Sequence, residues 1–194
     1  MNYICGDSFG ASDKESNIIP WHEQIECRNL SRVIASNLMI SRQVDTAIQE
    51  NAEFIIVLFT TSARFEHYSG PYQPQALENS NLNQKEKDII SQWTRHFFNL
   101  ELEIYKNKCI IESTLQRLVN SKIPFLFDQG GFEHKKWGVS KTYFENYDQY
   151  RSKYNLWDHG KTEHLRPFFH ITNQDIHNEI AGYYQEQITK AVTN

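Results

Sequence analysis

Three cysteines in 194 residues, Cys5, Cys27 and Cys109, are too few and too widely spaced for a disulfide framework or a metal knuckle. Their odd number and apolar neighbours predict reduced core residues in a reducing compartment. No run approaches the roughly 18 apolar residues that a membrane span needs, and no basic leader followed by an apolar stretch opens the chain. The expectation is therefore a cytoplasmic protein without a membrane segment. Positive charge is not in surplus either, since 20 basic against 24 acidic residues leave a net charge of −4. His134-Lys135-Lys136-Trp137 is too brief for a basic stripe, so nucleic acid is excluded as a partner. There is no glycine-rich phosphate loop, which ranks a nucleotide-binding α/β protein last. His159, His164, His170 and His177 fall at spacings that match no compact ligand motif, and no metal or other cofactor is expected. Asn29-Leu30-Ser31 matches a glycosylation acceptor, but no secretion signal precedes it.

What the chain does have is aromatic bulk. Twelve phenylalanines, ten tyrosines and four tryptophans, within 39% hydrophobic and 23% charged residues, describe an ordinary globular chain able to bury one large core. One domain spanning 1–194 is expected, with loop insertions at about 66–84 and 128–170.

The apolar run Tyr3-Ile4-Cys5 predicts a buried strand, broken by Gly6-Asp7-Ser8 in a turn that displays Ser8. Trp21 begins a short helix, and Ile25 to Leu30 is a second strand. Ser36 or Asn37 caps a helix carrying Leu38, Val44, Ala47 and Ile48 at helical spacing and ending near Asn51. Phe54 to Phe59, uninterrupted and β-branched, predicts a central parallel strand covered on both faces. Glu66 to Gln84 reads as a loop or lid. Ile90 to Leu118 marks a long amphipathic region, too long for one ordinary helix and broken near Asn99 or Asn107. Ile123 to Phe127 is a fourth strand, a helical piece lies around Tyr143 to Tyr154, and a last helix runs from about Asp175.

Strands alternating with helices predict an α/β fold, a three-layer sandwich with a central, mainly parallel sheet. Ligands of such sheets bind beyond the carboxyl ends of the strands. Ser8, Ser36, Asn37 and Thr60 to Arg64 all follow strand ends and would gather there. A serine nucleophile needs an imidazole within reach and a group that fixes the imidazole's tautomer. Asn173-Gln174-Asp175-Ile176-His177 offers both, with His177 as candidate base; alone, Asp175 is equally an acid in a first helical turn. Arg64 and Glu66 would pair with each other or hold a polar substrate group, with the pairing ranked first. The aromatics at Tyr68 to Tyr72 and Tyr143 to Trp157 are loop anchors or a sugar- or acyl-binding rim.

Taken in order, Gly6-Asp7-Ser8-Phe9, Ala35-Ser36-Asn37, Thr60-Thr61-Ser62 and Asp175-Ile176-His177 resemble the blocks of the GDSL-type, or SGNH, hydrolases. The resemblance runs through four short blocks over nearly the whole chain. It implies a flavodoxin-like SGNH-hydrolase architecture, with Ser8 as nucleophile and His177 as base. The family's oxyanion hole uses the nucleophile's N–H, a glycine N–H in the second block and an asparagine side chain in the third. These map to Ser8, to Ile34 or its neighbourhood, and to Thr61 or Ser62. The family's acid usually stands three residues before the histidine, where this chain has Gln174, while Asp175 stands two before. Asn37, Gln174 and Arg64 are candidates for orienting or substrate contacts. The implied activity is hydrolysis of a small ester or an acetylated carbohydrate by a small-molecule enzyme of unspecified oligomeric state. The alternative is a relative that keeps the fold as a binding or structural module after losing the third-block asparagine and the regular acid.

Overall fold

The structure, a computed structural model, describes residues 1–11, 18–67, 70–72, 82–128, 144–156, 171 and 173–193. Four strands build the central sheet: β1 (Asn2–Cys5), β2 (Cys27–Asn29), β3 (Phe54–Leu58) and β6 (Phe125–Asp128). Their order is β2-β1-β3-β6 and every pairing is parallel. Counted along the chain this is the 2-1-3-4 order of flavodoxin-like doubly wound sheets, whose switch point lies between β1 and β3.

Alternation along the strands divides the core in two. Tyr3, Cys5, Ile55, Val57 and Phe127 face one layer with Ile40 and Val44 of α1 (Asn37–Gln49) and Ile111, Leu115 and Leu118 of α3 (Leu100–Ser121). Ile4, Phe54, Ile56 and Leu58 face the other layer, with Trp21 of the 3-10 turn Trp21–Glu23 and Ile180, Tyr184 and Ile188 of α4 (Gln174–Thr193). Apolar side chains on both faces are what a central parallel strand requires, and β3 is buried at all five positions. The fold is the expected three-layer α/β sandwich.

Several elements differ from expectation in extent. Ser36 is the N-cap of α1, its hydroxyl accepting from Met39 N–H at 3.2 Å. The long helical region breaks at Asn99, which caps α3 after α2 (Gln84–Phe97) has ended. The fourth sheet strand starts at Phe125 rather than Ile123, because Pro124 has no N–H to give and only its carbonyl joins the ladder, accepting from Ile55 N–H at 3.0 Å. The second strand contracts to three residues, and the piece expected at 143–154 is a 3-10 run over Glu145–Tyr150. Part of the expected loop at 66–84 is instead an antiparallel hairpin, β4 (Phe65–His67) with β5 (Gly70–Tyr72), while 73–81 lies outside the described residues.

All three cysteines are free, but only Cys5 belongs to the core. Cys27 is half-buried on an edge strand and Cys109 is exposed on α3, which corrects the expectation of three core thiols. An amphipathic helix hides only one of its faces, and Cys109 falls on the other. No described helix is long and apolar enough to cross a membrane, and no described cluster of His, Cys, Asp or Glu could hold a metal. His159, His164 and His170 lie outside the described residues.

Gly6 lies where β1 leaves the sheet beside β3. A Cβ there would stand 2.8 Å from Leu58 Cβ, a clash that neither backbone can relieve by a rotamer change. Gly6→Ala is expected to lower the unfolding free energy by about 1–3 kcal/mol in chemical denaturation, the usual cost of overpacking. Burial raises the Cys5 thiol pKa and pushes that of Cys27 up to about 12. A neutral-pH alkylating reagent should therefore label the native chain once, at Cys109, and the denatured chain three times.

Candidate active site

The turn after β1 is pinned on both sides of Ser8. Gly6 N–H donates to Gln43 Oε1 at 2.7 Å and Gln43 Nε2 returns a hydrogen bond to Gly6 C=O at 3.3 Å. Asp7 is buried and its carboxylate accepts from Phe9 N–H (3.0 Å), Thr60 Oγ1 (2.7 Å) and Arg64 (2.9 Å). Gly10 N–H closes the turn onto Asp7 C=O at 3.1 Å. Beyond Ser8, the Trp21 indole N–H holds Phe9 C=O at 3.1 Å and the Asn29 amide holds Gly10 C=O. Ser8 itself is half-buried, and among the described residues its N–H, C=O and hydroxyl take part in no hydrogen bond.

The turns after β2 and β3 join the same edge. Asn37, fully buried at the start of α1, accepts from Thr60 N–H at 2.8 Å, donates to Thr60 C=O at 2.9 Å and reaches Asn107 at 2.8 Å. Arg64 spans both turns, donating to Asp7 and, at 3.0 Å, to Ala35 C=O. Asp7, 57 residues away, is thus one partner of Arg64; the pairing expected with Glu66 falls on a side chain outside the described residues. Asn37 and Arg64 act as braces within the protein.

Of the residues assigned to the oxyanion, Ile34 is 37% exposed and, among the described residues, its N–H gives no hydrogen bond. Its φ of 64° lies in the left-handed region, the conformation that glycine adopts freely and a β-branched residue resists. The backbone at Ile34 therefore has the conformation that a glycine would take there without strain. Thr61 and Ser62 are both buried: Thr61 Oγ1 accepts from Ala63 N–H at 3.3 Å, while Ser62 Oγ has no hydrogen-bond partner among the described residues.

His177 is buried on the first turns of α4. Its Nδ1 accepts from Trp21 N–H at 3.1 Å, so the ring proton sits on Nε2, which donates to Ile171 C=O at 3.1 Å. Trp21 links the two ends of the site, since its indole N–H holds the residue after Ser8 and its backbone N–H meets the imidazole. With Nδ1 acting as acceptor, the position beside it is filled by a backbone donor. Gln174 turns its amide elsewhere, accepting from Ile19 N–H at 2.9 Å and donating to Ile19 C=O at 3.2 Å and to Asn178. Asp175 is exposed in the first helical turn, where its charge faces the positive end of the helix dipole.

Sequence reasoning missed four residues here: Gln43, Trp21, His22 and Asn29. Gln43 was readable only as a polar residue on the α1 pattern, and Asn29 only as a sequon. His22 is buried beside Trp21 with its rings edge-on at 5.8 Å, and burial lowers its pKa, with the neighbouring His177 acting in the same direction. If the left-handed backbone at Ile34 stores strain, glycine and alanine must differ there by more than ordinary loop propensity. Ile34→Gly should be more stable than Ile34→Ala by about 1 kcal/mol in denaturant titrations, the reverse of the usual order.

No protein-family model and no curated protein sequence matches this chain. Among solved structures it is similar to the psychrotrophic esterase EstA of a Pseudoalteromonas species, determined in a form inhibited by monoethylphosphonate. The superposition has a TM-score of 0.57, covers 100% of this chain and 98% of that one, and aligns residues that are 11% identical. At that identity the likeness is one of fold alone.

Proposed function

We propose that the protein is a serine ester hydrolase of the SGNH type, acting on a small ester or an acetylated carbohydrate. What carries the proposal is the state of Ser8: every neighbour from Gly6 to Gly10 is tied down, while the serine keeps its hydroxyl and N–H unspent at the switch point of the sheet. In this reading Ser8 Oγ attacks the ester carbonyl and passes its proton to His177, which returns it to the departing alkoxide. Water then cleaves the acyl–Ser8 bond by the same route. The oxyanion would be held by the N–H groups of Ser8 and Ile34, with the unpartnered Ser62 hydroxyl, or that of Thr61, as a third donor. One such donor is worth about 3 kcal/mol when the charge forms.

To serve as base at Nε2, His177 must shift its proton to Nδ1 and give up Trp21 N–H and Ile171 C=O. Two hydrogen bonds at about 1 kcal/mol each make a step of about 2 kcal/mol, or roughly thirtyfold in rate. A slow enzyme is expected. The same imidazole arrangement is the observation that favours the second reading, a non-catalytic binding module on the same fold.

A fluorophosphonate probe separates the two. The wild type should be labelled, Ser8→Ala should not, and His177→Ala should react at least a hundredfold more slowly, in line with the usual contribution of a general base. Equal labelling of wild type and Ser8→Ala removes Ser8 from the mechanism. No labelling of either, with no turnover of short-chain nitrophenyl esters, supports the binding module.

A further inference from the structure

The two backbone carbonyls that follow Ser8 are each held by a side chain from residues 21–29, Trp21 taking Phe9 C=O and Asn29 taking Gly10 C=O. Asn29 is the hub. Ser31 N–H donates to its Oδ1 at 2.9 Å, which fixes the amide so that Nδ2 faces both Gly10 C=O and, at 3.3 Å, Nδ1 of His22. An Nδ2 donor opposite Nδ1 requires that Nδ1 carry no proton. The His22 tautomer is therefore set by a residue on β2, and the amide that sets it also clamps the chain two residues past the serine.

We infer that His22 and Asn29 form a positioning pair for Ser8, in which the neutral His22 ring keeps the Asn29 amide turned onto Gly10 C=O and so keeps the serine turn in its displayed form. Neither residue touches the serine hydroxyl. Protonation of His22 puts a donor on Nδ1 in front of the Asn29 donor, and the clash is relieved when the Asn29 amide turns away and releases Gly10 C=O. Among the described residues, the charged and titratable groups that act on His22 are Glu23 on its own turn, which favours the protonated ring, and His177 from α4, which opposes it. Burial also opposes it, so the neutral, clamped state is the resting one. Gly10 admits no other filling of this corner, since a Cβ there would stand 2.4 Å from Ser31 Oγ.

The inference rests on Ser8 being a nucleophile for its kinetic test, and a second test does not. For the first, fluorophosphonate labelling of Ser8 is followed from pH 8 to pH 4.5 in the full chain. Asn29→Asp, which keeps the acceptor for Ser31 but loses the donor, should label about tenfold more slowly at pH 8. The wild-type rate should fall on acidification through two ionisations, those of His177 and His22, and His22→Asn, which keeps an acceptor near Nδ1 but does not titrate, should leave only one. An unchanged acid limb in His22→Asn, or wild-type labelling in Asn29→Asp, overturns the pair. If no form labels at any pH, the hydrolase reading fails, and the ring itself decides. Nitrogen-15 NMR should show wild-type His22 with an unprotonated, hydrogen-bonded Nδ1. Asn29→Asp should raise the ring's proton affinity at least tenfold; an unaltered titration overturns the pair, whatever the enzyme does.

Discussion

Everything at the carboxyl edge of the sheet depends on one buried ion pair. Asp7 and Arg64 are 4% and 10% exposed, and two charges taken that far from water are tolerated only when their remaining lone pairs and protons are satisfied. Here they are: the carboxylate also accepts from Thr60 and Phe9, and the guanidinium also serves Ala35 C=O. Such a pair adds little stability over an apolar filling of the same space, but losing one partner costs about 3–5 kcal/mol because the other charge is left stranded. It therefore specifies more than it stabilises. Asp7 precedes Ser8, Thr60 opens the third turn and Ala35 leads into α1, so a single interaction brings three distant segments into one arrangement.

Around that pair the chain uses one device three times. Where a strand ends, the next residue's N–H and C=O point toward a neighbour that is no longer there. A carboxamide is the side chain that offers a donor and an acceptor side by side, and so can stand in for the missing strand. Gln43 does this for Gly6 and Asn37 for Thr60, and Gln174 clips Ile19 in the same way in the connection before Trp21. The first two fix the turns after β1 and β3 from the same helix. The third holds the residue two before Trp21, and through Trp21 it bears on the imidazole of His177. The turns are rigid for the same reason the sheet is, by paired backbone groups.

Local signals told the truth about local structure. The apolar run of β3, the Ser36 cap and the break at Asn99 were all legible, because periodicity and capping act within a few residues. The parallel sheet followed from the alternation of such elements. What could not be read is what depends on partners far along the chain. Arg64 meets Asp7 fifty-seven residues away, and nothing in the sequence points to that pairing. The amide clips, the exposure of Cys109 and the tautomer of His177 belong to the same class. So does the hairpin at Phe65–Tyr72, where a glycine and a proline beside polar residues outweighed a short strand signal.

The geometry leaves the two ends of the site in different states of readiness. Ser8 is displayed at full cost, its neighbours immobilised and its own groups unspent, whereas His177 rests in the tautomer opposite to the one a Ser-His-acid triad uses. These are not contradictory, because Nδ1 is met by a backbone donor, Trp21 N–H, and a donor there holds the ring proton on Nε2. In the triad the acid both selects the tautomer and compensates the charge of the protonated ring. Here Trp21 N–H selects the wrong one and, being a donor, cannot compensate. Ile34 is the second such compromise at this edge: its backbone lies in the left-handed region that a β-branched residue resists, and among the described residues its N–H gives no hydrogen bond.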